Sequence, residues 1–248
     1  MTYDLYEGFA ERYDLALGRF DKYAPSVVEF FHRLFVENGV HTVLDCACGT
    51  GRHLFLFHSL GCKGFGSDVS ESMLVQARRN LAEHGVQILL RQADYRDLPR
   101  HFRRRFDAVV CLGSIGYMPN ETEFLRAFKS MSAVLRDGGI VILTTILTDK
   151  QWKERPRFFL TANTENFSRL FVIDYLERTA QYNILDIFHS EENRELKVWS
   201  AEIYVLLRDD QERLLKAAGF HAVDFYGTFD FDPYVKEKSD KLIAVAHK

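Results

Sequence analysis

No apolar run in this chain approaches the roughly 20 residues needed to cross a bilayer. The runs present are strand-sized, such as Ile140 to Leu143, so no membrane partner is expected. Positive charge is not in excess either. The 32 Lys and Arg stand against 35 Asp and Glu, a formal charge of −3, and no global positive field exists to gather phosphate backbones. A dedicated nucleic-acid binder is therefore not expected. Cysteine is scarce: Cys46, Cys48, Cys62 and Cys111 sit inside apolar or Gly-rich segments and lack the paired spacing of a zinc site or disulfide framework. They read as buried free thiols, and no metal site is expected. Proline is almost as rare, with 5 residues, while 47% of the chain is hydrophobic and 27% charged, the composition of an ordered globule rather than a disordered or fibrous chain. The opening residues Met1-Thr2-Tyr3-Asp4 carry neither a basic nor an apolar stretch. No secretory signal is read there, and the expected location is cytoplasmic.

A length of 248 residues suits one large domain or one domain with a sizeable insertion. From Thr42 onward, short β-branched apolar runs alternate with longer segments of helical period, the pattern of a parallel sheet with crossover helices. The fold class is α/β. Strands are expected near 42–46, 64–68, 86–91, 106–112 and 139–146, with helices near 52–60, 71–84 and 121–135; the link 92–105 carries no clear pattern. Ser70 is placed to cap the helix starting at Glu71, and Asp137-Gly138-Gly139 to stop the helix carrying Phe124, Leu125 and Phe128. Before the sheet, Tyr6, Phe9, Tyr13 and Leu17 recur at helical intervals, and Val27, Phe30, Phe31 and Leu34 mark a second helix ending at Asn38-Gly39. After residue 160 the period becomes two. Phe167 to Glu177, Gln181 to His189 and Leu196 to Leu207 read as three antiparallel strands. The α/β pattern then returns with a helix from Asp209 to Ala218, closed by Gly219, and strands near 221–226 and 241–247. Four units are expected: a helical cap at 1–40, a ligand-binding core at 41–160, an antiparallel insertion covering the substrate at 161–208, and the end of the core sheet at 209–248.

The most informative segment is Val43-Leu44-Asp45-Cys46-Ala47-Cys48-Gly49-Thr50-Gly51-Arg52-His53, where a strand runs through a Gly-containing turn into a helix. Gly49 and Gly51 remove the Cβ atoms that would hold the backbone away from a ligand. The spacing fits neither a dinucleotide fingerprint, since Leu54 stands three after Gly51, nor a phosphate loop, since Gly-Lys-Ser/Thr is absent. Asp45 at the head of the turn would repel a pyrophosphate and tolerate a cationic ligand.

The run from Asp45 to Gly51 resembles the D-x-x-x-G-x-G signature of class I S-adenosylmethionine (SAM)-dependent methyltransferases. Further matches follow in register: Gly66-Ser67-Asp68-Val69-Ser70 with Met73-Leu74 after the second strand, Gln92-Ala93-Asp94-Tyr95 after the third, Phe106 to Gly113 on the fourth, and Leu135 to Gly139 before the fifth. Matches in this order cover roughly residues 40 to 147. The resemblance implies a doubly wound, seven-stranded Rossmann-like sheet with an antiparallel last strand. It implies SAM as cofactor, released as S-adenosylhomocysteine. It further implies a cofactor site built from Asp45, Cys46, Ala47, Gly49, Gly51, Asp68, Val69, Met73, Ala93, Asp94, Tyr95 and Leu112. In that site Asp68 accepts from the ribose hydroxyls, Met73 packs on the adenine, and Asp94 accepts from the adenine amino group.

Several local runs narrow the likeness. Tyr13-Asp14-Leu15, Asp21-Lys22-Tyr23 and Gly113-Ser114-Ile115-Gly116-Tyr117 resemble amino-sugar N,N-dimethyltransferases, and Val110 to Gly113 is similar also to glycine and sarcosine N-methyltransferases. The tail Thr228 to Tyr234 has no counterpart in either group. The resemblance adds Tyr13 and Tyr23 to the cofactor site, from a region that closes over the cofactor in these families; a plain core stripe is the other reading. Tyr117 is the candidate catalytic residue, orienting a nucleophile, or else a rim aromatic. Arg19 either pairs with the cofactor carboxylate or is solvated. His53 reads as packing or capping. His189 and Trp199 line a substrate pocket if their strands form a cover, and Arg100 to Arg105 reads as a solvated loop.

The expectation is a methyltransferase of a small molecule, preferentially an amine. An O-methyltransferase or a non-catalytic SAM-binding regulator are the alternatives, and both a monomer and a homodimer remain open. The sulfonium supplies the electrophile, so the protein's task is placement of the acceptor and exclusion of water.

Overall fold

The computed structural model describes residues 8–248. Tyr6, on the first helical stripe, lies outside the described residues. The chain begins with a short helix α1 (Ala10–Tyr13), continued by a 3₁₀ turn over Asp14–Ala16, and a long helix α2 (Pro25–Glu37). Gly8 and Gly18, both with left-handed φ, bracket the first of these, so the stripe from Phe9 to Leu17 holds little more than one helical turn. Pro25 at the first position of α2 fixes φ where no hydrogen-bond donor is needed, and that helix buries Phe30, Phe31, Leu34 and Phe35.

The core alternates β1 (Thr42–Asp45), α3 (Arg52–Ser59), β2 (Lys63–Asp68), α4 (Glu71–Glu83), β3 (Leu89–Gln92), α5 (Leu98–His101), β4 (Phe106–Leu112), α6 (Glu121–Val134) and β5 (Leu135–Thr144). A short helix α7 (Asp149–Glu154) leads into β6 (Phe158–Asn163), β7 (Phe167–Tyr175), β8 (Thr179–His189) and β9 (Arg194–Tyr204). The chain ends with α8 (Arg208–Ala217), β10 (Ala222–Tyr226) and β11 (Ile243–His247). The main sheet has the order β10-β11-β5-β4-β1-β2-β3. Its strands β1 to β5 pair in parallel, and β11 runs antiparallel to both β5 and β10. This is the seven-stranded, doubly wound sheet with an antiparallel final strand. Apolar side chains fill both of its faces: Phe106, Val109, Phe124 and Phe128 on one, Phe30, Val43, Val110 and Phe57 on the other.

Three sequence expectations are corrected. The insertion has four antiparallel strands, because β6 joins the sheet beside β7. A register shift between Leu160 and Ala162 breaks the alternation that would have announced it. β3 begins at Leu89 and not near residue 86, because Val86 belongs to the end of α4: its N–H donates to the Leu81 carbonyl at 2.9 Å and its side chain packs beside Leu81. Helix α6 stops at Val134, where Leu135 is already extended, so β5 starts before the two glycines assigned as the stop. The obscure link 92–105 holds the single-turn helix α5.

Gly66 shows how tightly the first two crossovers pack. A Cβ there would lie 2.6 Å from Leu54 Cδ1 and 2.6 Å from Leu90 Cδ2, so α3 and β3 close on the strand only over a glycine. Overpacking of this kind costs about 2 kcal/mol, which lowers the thermal midpoint of a chain of this length by roughly 4–8 °C. Calorimetric melting of Gly66→Ala is expected to show that drop, and an unchanged midpoint would contradict the packing described.

Candidate active site

The carboxyl ends of β1, β2 and β4 open into a cavity of about 770 Å³, where ligands of open α/β sheets bind. Its first wall is the loop after β1. Gly49 and Gly51 both have left-handed φ, and a Cβ on Gly51 would meet the Ala77 side chain at 3.2 Å, so glycine lets the loop lie flat on α4. Asp68, the last residue of β2, ties this loop down. Its Oδ2 accepts from the Gly49 N–H at 2.9 Å and its Oδ1 from the Ser70 N–H at 2.9 Å. Burial raises the Asp68 pKa above the usual carboxylate range, while these backbone donors oppose the shift.

Most expected cofactor residues line this space: Tyr13, Cys46, Ala47, Gly49, Asp68, Val69, Met73, Ala93, Asp94, Tyr95 and Leu112. Tyr117 also lines it. Three do not. Asp45 lies beneath the loop with 1% of its surface exposed, accepting from the Ala47 N–H at 3.3 Å; burial pushes its pKa up to about 7, with the like charge of Asp68 adding to the rise. Gly51 is turned against α4. Tyr23 packs beside α2 and donates from its hydroxyl to the Arg52 carbonyl at 2.6 Å, so it braces the wall from behind. Arg19 pairs with Asp21 at 3.0 Å and is not among the lining residues.

Asp94 carries a partner that its motif does not announce. Arg96 donates to it from the backbone at 2.8 Å and from Nε at 3.0 Å, and reaches Glu123 at 2.6 Å. Burial alone would raise the Asp94 pKa, but Arg96 holds it below the usual carboxylate range. The other lining cation, Arg52, donates to the backbone carbonyls of Arg19 and Lys22. Both lining arginines among the described residues are thus engaged, while half-buried Asp68 lines the cavity and buried Asp45 lies beneath its loop. This donor set has no free cation for a diphosphate and suits a nucleoside bearing positive charge.

The opposite wall comes from the insertion. Thr179 at the start of β8 and Ser200, Glu202 and Tyr204 at the end of β9 line the cavity, while His189 is exposed and Trp199 packs on Phe9 with ring centroids 5.0 Å apart. These strands supply one wall of the cavity, but through residues other than His189 and Trp199. The Tyr204 N–H donates to the Gly116 carbonyl at 2.9 Å, which fastens β9 to the loop after β4. Tyr117, on that loop, packs against one cluster containing Tyr13, Met73 and Ala201 and another containing Tyr182 and Ile203. It stands where the wall formed by the loop after β1 and the end of β2 meets the insertion. Tyr13 is pushed up to about 12, chiefly by burial and then by Tyr117 and the nearby acids. His53 lines the cavity too; burial and Arg52 push it down to about 4, so it is neutral near pH 7.

A family profile described as a methyltransferase domain matches residues 43–139, from β1 into β5. A glycine/sarcosine N-methyltransferase of Aphanothece halophytica is 30% identical over 98% of this chain and 89% of its own length. The dTDP-3-amino-3,4,6-trideoxy-alpha-D-glucopyranose N,N-dimethyltransferase of Streptomyces venezuelae is 34% identical over 54% of this chain and 55% of its own. Among solved structures, an S-adenosylmethionine-dependent methyltransferase from Clostridium acetobutylicum superposes with a TM-score of 0.82 at 21% identity, covering 98% of each chain. With the sheet order, the glycine loop and the acid-floored cavity, these likenesses place the chain in the class I S-adenosylmethionine-dependent methyltransferases, to which it belongs.

Proposed function

We propose that this enzyme methylates the nitrogen of a small amine, with Asp68, Met73 and Asp94 holding SAM and Tyr117 orienting the acceptor. When bound, SAM supplies an electrophilic methyl group on a sulfonium. The chain's own residues bind, orient and exclude water. Asp68 keeps lone pairs for the ribose hydroxyls beyond those it gives to Gly49 and Ser70. Met73, 1% exposed, backs the adenine. Tyr13 and the end of β9 line the cavity, and residues 161–208 serve as the substrate cover.

The observation that carries the amine reading is that three titratable residues lining the cavity, His53, Tyr13 and Asp94, are each unsuited to act as a base. His53 is pushed down to about 4 and Tyr13 up to about 12, while Asp94 is committed to Arg96. An alcohol would need a positioned base of intermediate pKa; a neutral amine brings its own lone pair. Both sequence relatives named above are N-methyltransferases, which supports the same choice. The formal charge of −3 gives no positive field for a nucleic-acid backbone, which supports a small-molecule acceptor. No described helix is long and apolar enough to cross a membrane.

Incubation of SAM-saturated enzyme with a fractionated metabolite extract, followed by fragmentation mass spectrometry, is expected to place the new methyl on nitrogen. A methyl found on oxygen would overturn the reading. With that acceptor in hand, Tyr117→Phe is expected to lower turnover by about tenfold, the equivalent of roughly 1.4 kcal/mol in the barrier, while SAM affinity stays within about twofold. Equal losses in both would make Tyr117 a cofactor residue instead.

A further inference from the structure

Helix α1 is four residues long, too short to hold its own direction, yet its last residue, Tyr13, projects into the cofactor cavity. What orients it lies on the insertion. Arg169 on β7 and Asp186 on β8 are direct cross-strand neighbours, 3% and 0% exposed. They form a bidentate pair, Nε to Oδ1 at 2.6 Å and Nη2 to Oδ2 at 2.8 Å. The remaining reach of the guanidinium goes to the end of α1: Nη2 donates to the Arg12 carbonyl at 2.9 Å and Nη1 to the Tyr13 carbonyl at 3.1 Å. The cation also sits 4.7 Å from the Phe9 ring centroid.

The other side of the same segment is fixed to the core. Asp14 accepts from the Thr50 hydroxyl at 2.7 Å and from Asn80 Nδ2 at 2.8 Å, and Thr50 lies between the two loop glycines. Residues 12–14 thus span from the insertion sheet to the cofactor loop, with the Tyr13 side chain between them.

A buried ion pair adds little to stability over an apolar pair of similar volume, because desolvation offsets the attraction. Stability alone therefore does not account for Arg169. A lysine would not serve, since only the planar fork meets the carboxylate and two carbonyls together. We propose that Arg169 is a positioning residue: held by Asp186, it caps the end of α1, sets Tyr13 in the cavity, and makes the insertion sheet a determinant of SAM affinity. This rests on the reading of the cavity as the SAM site and of Tyr13 as part of it.

The test compares three proteins with the full-length wild type: Tyr13→Leu, the pair replacement Arg169→Met with Asp186→Leu, and all three changes together. Titration calorimetry with SAM is expected to show about a tenfold loss for Tyr13→Leu and for the pair replacement, and no more than about tenfold for the combination, because both act through one contact. Ligand-free pair-replaced protein is expected to be cut by trypsin after Arg12 at least several times faster than wild type. Wild-type SAM affinity in a folded pair replacement overturns the proposal. So does a combined loss near a hundredfold, which would make the two effects independent. If Tyr13→Leu alone leaves affinity unchanged, the assignment of Tyr13 to the SAM site fails, and the proposed route with it. Should the pair replacement not fold, Arg169→Lys carries the same comparison, with weakened SAM binding expected and wild-type binding contrary.

Discussion

Asp68→Ala is expected to weaken SAM binding about a hundredfold while leaving the chain folded. The magnitude follows from two losses at one carboxylate. Hydrogen bonds to a charged group contribute roughly 1.5–3 kcal/mol each, and the substitution removes those that would reach the ribose. It also frees the Gly49 N–H, which Asp68 holds at 2.9 Å, so the glycine loop loses the strut that keeps it flat beneath the ligand. The fold should survive, because the side chain lies at the end of β2 on the cavity lining. Titration calorimetry with SAM, alongside a thermal melt, separates the outcomes: unchanged affinity would remove the ribose assignment, and a collapsed melt would make Asp68 a structural strut alone.

This residue was legible because its signal is local. An acid at the carboxyl end of a second strand, following a glycine loop at the end of the first, sits where topology sends ligands. The loop after β1, Met73 after β2, and the pair Asp94-Tyr95 after β3 are of the same kind. The insertion was legible only in part. Alternation along 181–189 and 196–207 gives the two faces of each strand but not which end abuts the core, so the pattern points to His189 and Trp199 while Ser200, Glu202 and Tyr204 line the cavity. Long-range polar contacts leave no sequence trace at all. Nothing in the spacing couples Arg169 to the Tyr13 carbonyl, 156 residues away, or Arg96 to Glu123. Asp45 and Gly51 belong to the signature yet stand behind the cavity wall, one beneath the turn and the other against α4, because a motif records what a loop needs to fold as well as what it touches.

Asp45 gives the second large effect. SAM affinity is expected to rise about tenfold from about pH 6 to about pH 8, because the ionised floor is the form that favours a cation. In the ligand-free fold, burial pushes Asp45 up to about 7, Asp68 adds to the rise, and the Ala47 N–H opposes it. An unfolded aspartate ionises near pH ~4. Between those values the folded chain binds the proton more than the unfolded chain does, so ligand-free stability falls as pH rises through that window. A positively charged ligand above the floor favours the carboxylate, expels the proton and regains that stability. The thermal shift produced by SAM should therefore grow with pH. Calorimetry in buffers of different ionisation heat should detect close to one proton released at about pH 6. Asp45→Asn should flatten the profile, and S-adenosylhomocysteine, which lacks the sulfonium charge, should show a shallower rise. A SAM affinity independent of pH would contradict the assignment of Asp45.

The position of the nucleoside decides the roles of Asp68, Met73 and Tyr117. A crystal structure of the enzyme with S-adenosylhomocysteine addresses this directly. Both ribose hydroxyls are expected within hydrogen-bonding distance of Asp68, with the adenine against Met73 and the sulfur facing Tyr117. A ribose lodged elsewhere, with Asp68 contacting only Gly49 and Ser70, would contradict these roles.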